Sequence, residues 1–254
     1  MSVAVSPSVA PTGERHRSRP RSRPRLYVGA AVLLAAIAFA GFTPSFFRPL
    51  AAGTLSLHPA IVVHGVLFFA WALYFIAQTS LVAARRTRAH RTLGLFGIAL
   101  AAWMLFSGIL AAIVSLAANL PGPRPDAARA AAALSFSGML LFATFIAIGV
   151  ANVGRPDVHR RAMTLAAFSI IQAAVARLIM LAPWIAQAER IVIGAVIVDL
   201  LLAGVVLLDR RAIGRLHPMW VLGFGLIVTV QWLRVVVART DAWADFTAWL
   251  AGLA

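Results

Sequence analysis

The chain contains no cysteine and no lysine. Without cysteine there can be no disulfide, no thiolate metal ligand and no thiol nucleophile. Acidic residues are scarce: 8 Asp and Glu stand against 23 basic residues, all of them arginine, for a formal net charge of +15. Several fingerprints are also missing. There is no H-E-x-x-H, G-x-S-x-G, P-loop or G-x-G-x-x-G, so metalloprotease, serine-hydrolase and nucleotide-binding readings have no residues to rest on. Polar sequence from which to build a soluble domain is lacking too, since 61% of the 254 residues are hydrophobic and the mean hydropathy is +0.89.

What is present is membrane sequence. Apolar stretches at about 26–47, 59–83, 93–116, 131–152, 162–184, 190–208 and 218–238 each meet the roughly 17–25 residues needed to cross a bilayer. The expected fold is all-α: a polytopic membrane bundle of seven transmembrane helices. Residues 1–25, ending in RHRSRPRSRPR, cannot form a core and read as a disordered cytoplasmic tail. Residues 26–240 form the transmembrane domain. Residues 241–254 form a short amphipathic segment, with Trp243, Phe246, Trp249, Leu250 and Leu253 at helical spacing. That segment suits the outer interface or a short packed helix equally well. The A-F-A at 38–40 has the form of a signal-peptidase site, but apolar sequence continues past it, so an uncleaved first helix is expected.

The excess positive charge does not point to nucleic acid. Arginine is concentrated in the tail and in three short connections, 84–92, 154–161 and 209–217, while the alternate connections carry it thinly. That is the positive-inside pattern; it places the N-terminus in the cytoplasm and the C-terminus outside. Arginine without lysine, in an alanine-rich chain, reads as GC-rich coding and hence a bacterial inner membrane. The three connections each run into a histidine (His90, His159, His217), a weak internal repeat that similar short inner loops would also produce. Gly94 with Gly97 and Gly223 with Gly225 read as close helix contacts.

Two sets of residues carry chemistry. Arg177 and Asp199 lie inside apolar spans, where a charge costs roughly 2.5–3.5 kcal/mol and needs a partner or a purpose. With His64, Gln231 and Arg234, and with Gln172, Ser135 and Ser137 nearby, they are expected to line one polar pocket in the outer half of the bundle. The open readings are an Arg177–Asp199 ion pair that locks helices together and an anionic ligand or cofactor held by Arg177 or Arg234. The second set is His90, His159 and His217, which could meet at the inner face as a metal site or act only as interfacial helix starters. A membrane haem b usually takes two intraspan histidines, and only His64 is clearly inside a span.

Four motifs occur in order: His64-Gly65, A-H-R-T-L-G at Ala89–Gly94, D-V-H-R-R-A-M at Asp157–Met163, and A-R-L at Ala176–Leu178. Together they resemble a family of bacterial multi-span proteins known only as a domain of unknown function. The resemblance covers about residues 60–180. It singles out His64, His90, His159 and Arg177 without supplying an activity. The expected function is binding of a small ligand or cofactor, haem or quinone, in the polar pocket of a protein whose principal partner is the lipid bilayer. A transporter or channel for an anionic solute and a structural or assembly role in a membrane complex are the alternatives. The spans show no inverted repeat and no Gly/Pro-broken helix of the transporter kind.

Overall fold

The computed structural model describes residues 24–182, 184–185 and 187–254. The expected tail, 1–25, lies almost wholly outside them. Among the described residues the structure is helical with no strand, and seven helices are long and apolar enough to cross a membrane. These are α1 (Pro24–Ala51), α2 (Pro59–Ala83), α3 (Thr87–Asn119), α4 (Pro125–Ala151), α5 (Pro156–Ile179), α6 (Gln187–Ile213) and α7 (Pro218–Val237). A short eighth helix, α8 (Asp241–Ala251), follows.

Local chemistry explains most helix boundaries. Proline stands at the first helical position of α2, α4, α5 and α7, where its missing N–H is no loss. The preceding His58 and His217 act as N-caps, their side chains accepting from Ala60 N–H (3.2 Å) and Met219 N–H (3.1 Å). At the other end of α6, Gly214 takes a left-handed backbone (φ 75°) and its N–H returns to the Arg210 carbonyl at 2.8 Å. Arg85 does the same job at the end of α2 with φ 60°, a conformation that suits glycine far better. Pro44 cannot donate within α1, and the backbone there widens into one π-helical turn, Thr43–Phe47.

Neighbouring spans pack as antiparallel hairpins, and α5 is the most enclosed of the seven. It touches α1, α4, α6 and α7, and Ala162, Leu165, Ala166 and Ala174 are fully buried. The most buried span is also the least apolar, whereas α6, the most apolar, is among the least buried. In lipid this inversion is expected, because the bilayer selects apolar surface on outward faces while interiors favour small residues and satisfied polar groups.

Close approaches bear on the glycine pairs. A side chain at Gly97 would run into Tyr74, and one at Gly223 into Leu165, but Gly94 and Gly225 have open space around them. One member of each pair therefore makes a helix contact. A phenylalanine cluster also joins α1 to α2, with Phe39, Phe42, Phe46 and Phe47 around Phe68 and Phe69 at centroid distances from 4.7 to 5.9 Å.

The C-terminal helix α8 is docked rather than free. Thr240 caps it, Trp243 donates its indole N–H to the Arg129 carbonyl (3.1 Å), and Leu250 packs against Leu116, Ala128 and Ala132. Phe246 and Trp249 stay exposed and stack on each other at 5.9 Å. The packed reading of this segment holds for one face.

Candidate functional site

The residues expected to share one outer pocket occupy three separate places. His64 of α2 bonds through Nδ1 to Ser107 Oγ of α3 (3.1 Å). Ser107 in turn lies 3.2 Å from the Met104 carbonyl, which can only accept. With the hydroxyl proton directed there, Oγ accepts from His64 Nδ1–H, leaving Nε2 as the lone-pair nitrogen. The imidazole and the Met139 thioether of α4 both sit over Gly108.

Arg177 stands apart from Asp199. Its guanidinium donates to the Ala173 carbonyl one turn back (2.9 Å) and lies over the Phe42 ring of α1, 4.2 Å from the centroid. Among the described residues the ion pairs are Arg129–Asp126, Arg161–Asp209 and His217–Asp157, so the expected Arg177–Asp199 pair is not formed. The two residues lie on helices that meet, but Arg177 turns toward α1 while Asp199 turns toward α7. Ser135 and Ser137 are spent locally, bonding back to the Ala131 and Leu134 carbonyls.

The third place does assemble a site. Arg234 of α7 donates to Gln172 Oε1 of α5, and the Gln172 amide reaches the Ile191 carbonyl of α6 at 3.4 Å. Gln231 and Arg234 are the polar groups that act on Asp199 across the α6–α7 seam. Gln172, Gln231 and Arg234 are all buried. Three atoms here are left over: Asp199 Oδ1, Gln231 Oε1 and Arg234 Nε are enclosed with no hydrogen-bond partner. Two accept and one donates, which is an unfinished polar network. Beside it runs a narrow apolar cleft lined by Ile191, Val192, Ala195, Trp232 and Val235, with Gln231 and Arg234 in its wall. Asp199, Gln231 and Arg234 thus lie together at the α6–α7 seam, while His64 lies between α2 and α3 and Arg177 against α1.

At the opposite end of the bundle lies a cluster that the sequence reading did not single out. Asp209 near the end of α6 accepts from Arg161 Nε (2.9 Å), from the Trp220 indole N–H (2.8 Å) and from the Tyr27 hydroxyl (2.9 Å). Arg161 is wholly buried and also donates to the Asp157 carbonyl. Four helices are tied here, and the carboxylate is well satisfied. Such a network holds a fold together; it offers a ligand nothing. A sequence signal did exist, since Arg161 is the second arginine of H-R-R and α5 amphipathicity puts it on the inward face with Leu165 and Phe168.

The three histidines of the apparent repeat divide. His217 Nδ1 accepts from Met219 N–H, so Nε2 carries the proton and donates to Asp157 Oδ2 at 3.0 Å. It has no lone pair left for a metal. His90 and His159 do meet, with ring centroids 6.2 Å apart and planes at 80°. Among the described residues no group of three or more His, Cys, Asp or Glu side chains is arranged to hold a metal ion.

Comparison with known proteins adds no template: no family model, no curated protein and no solved structure matches the chain.

Proposed function

We propose that the chain is a multi-pass protein of a bacterial inner membrane that binds a small amphiphile with a quinone-like head group at the α6–α7 seam. The observation that carries this reading is the trio of unpartnered atoms, Asp199 Oδ1, Gln231 Oε1 and Arg234 Nε, beside an apolar cleft. A head group with both a hydroxyl and a carbonyl completes the network: the hydroxyl donates to the carboxylate or amide oxygen, and the carbonyl accepts from the guanidinium. The tail then lies along Val192, Val235 and the exposed Trp232. Binding sites of this kind are mostly apolar with a few placed polar groups. Arginine-rich connections at the end that holds Arg161 and Asp209 support placing that end, and the N-terminus, in the cytoplasm. The ordered motifs from His64 to Leu178 support a divergent member of the multi-span family named above; that membership is part of the proposal.

Protein purified in mild detergent should carry an extractable amphiphile detectable by mass spectrometry, and added ubiquinone-1 should quench Trp232 fluorescence saturably. Asp199→Asn and Arg234→Gln should each weaken that quenching about tenfold, the loss of one charged hydrogen bond. Equal quenching in wild type and both variants would sink the reading. A Soret band at stoichiometric haem would transfer the site to His64.

A further inference from the structure

At the end of the bundle that holds Asp209, most arginines stand in the open: Arg25, Arg155, Arg210 and Arg211 are exposed. Arg160 is not. It lies in the first turns of α5, half-buried, with its guanidinium 5.4 Å from the centroid of the Tyr27 ring of α1. Nε is enclosed and has no hydrogen-bond partner. Among the described residues no carboxylate pairs with Arg160, because those at this end are taken, Asp209 by Arg161 and Asp157 by His217. The ring beneath it is fixed: Tyr27 is buried, and its hydroxyl donates to Asp209 at 2.9 Å. A cation–π contact holds a guanidinium in place without using its N–H donors. Arg160 therefore keeps a planar, pre-oriented fork of donors, the geometry that matches the oxygens of a phosphate.

Depth identifies the partner. Arg160 stands four residues after Pro156, which is about 6 Å along the axis from the start of α5. That is the level of the lipid head groups rather than of the hydrocarbon. One to two turns beyond Tyr27, α1 exposes Val32 and Leu33 as apolar surface. We propose that Arg160 binds the phosphate of an anionic phospholipid in the leaflet that this end of the bundle faces, with the acyl chains along that flank of α1. Charge selects the head group. A zwitterionic lipid brings its own cation among the exposed arginines and is repelled, whereas a head group of net negative charge is drawn in. The positive-inside pattern alone needs only exposed arginines. It does not require one enclosed against an aromatic ring and left without an acceptor.

Full-length, delipidated protein in mild detergent should be titrated with phosphatidylglycerol and with phosphatidylcholine, and bound lipid counted by native mass spectrometry. The first phosphatidylglycerol should bind about tenfold more tightly than phosphatidylcholine, the scale of one charge-assisted contact. Arg160→Met should abolish that preference, while Arg155→Met and Arg211→Met, at exposed positions, should change it by less than about twofold. Glycerol phosphate shares the head-group chemistry without the chains and should not displace the lipid; displacement would make the ligand a soluble phosphate and overturn the assignment. Equal binding of the two lipids by the wild type, a preference that survives Arg160→Met, or one that falls equally in all three variants overturns it as well. Should Arg160→Met fail to fold, a phosphatidylglycerol with a photoreactive head group decides on the wild-type protein. Adducts at the start of α1 or the first turns of α5 support the site, and adducts confined to other segments overturn it.

Discussion

Arg161 and Asp209, 48 positions apart and both out of reach of solvent, are joined by a guanidinium–carboxylate contact at 2.9 Å through Nε. Tyr27 and Trp220 complete the carboxylate shell. This contact, rather than one between the two charges deepest in the spans, holds the helices in register.

Removing one partner of such a pair strands the other. Asp209→Asn and Arg161→Ala should each destabilise the folded protein by about 3–5 kcal/mol. Thermal unfolding in detergent will measure it. The paired replacement Arg161→Met with Asp209→Leu should recover much of the loss, and a double variant as unstable as the singles would show that the network is not a closed pair.

Gly97 faces Tyr74 with no room for a methyl group. Gly97→Ala should lower stability by about 1–3 kcal/mol through overpacking. Gly94→Ala, three residues earlier in open space, should be neutral or slightly stabilising. Comparing the two unfolding temperatures tests the assignment, since equal effects would mean that the α2–α3 contact lies elsewhere.

Arg85 ends α2 in the left-handed region. An ordinary side chain is strained there by roughly 1–2 kcal/mol. Arg85→Gly should therefore raise the unfolding temperature despite the flexibility that glycine adds to the unfolded chain. A lower temperature would show that the arginine side chain makes a compensating contact.

Trp243 secures α8 through its bond to the Arg129 carbonyl and its packing against Phe136. Trp243→Phe keeps the ring and removes the donor, so it should cost about 1 kcal/mol. Limited proteolysis should then cut sooner between α7 and α8. An unchanged cleavage rate would mean that Leu250 packing alone keeps the helix in place.

Much of this architecture was legible without coordinates. Span count follows from apolar length, because hydrocarbon admits only stretches whose backbone bonds are internally closed; the helix starts do not, since α3, α4 and α5 begin at Thr87, Pro125 and Pro156, ahead of the apolar stretches expected from 93, 131 and 162. His217 was readable as a helix starter at the end of an Arg-rich connection. Gln231 and Arg234 were readable as neighbours from their spacing of three on one helix. All of these are properties of a single segment.

What only the tertiary structure decided is which segments face which. Arg177 and Asp199 looked like natural partners by charge and depth, yet rotation about each helix axis turns one toward Phe42 and the other toward Gln231 and Arg234. Asp209 looked like a loop residue at a span end and became the most fully bonded carboxylate described in the chain, because α1, α5 and α7 all bring donors to it. His90 and His159 meet while the third histidine of the apparent repeat is held by Asp157. Helix rotation and neighbour choice depend on packing summed over the whole bundle. No periodicity within one span encodes them.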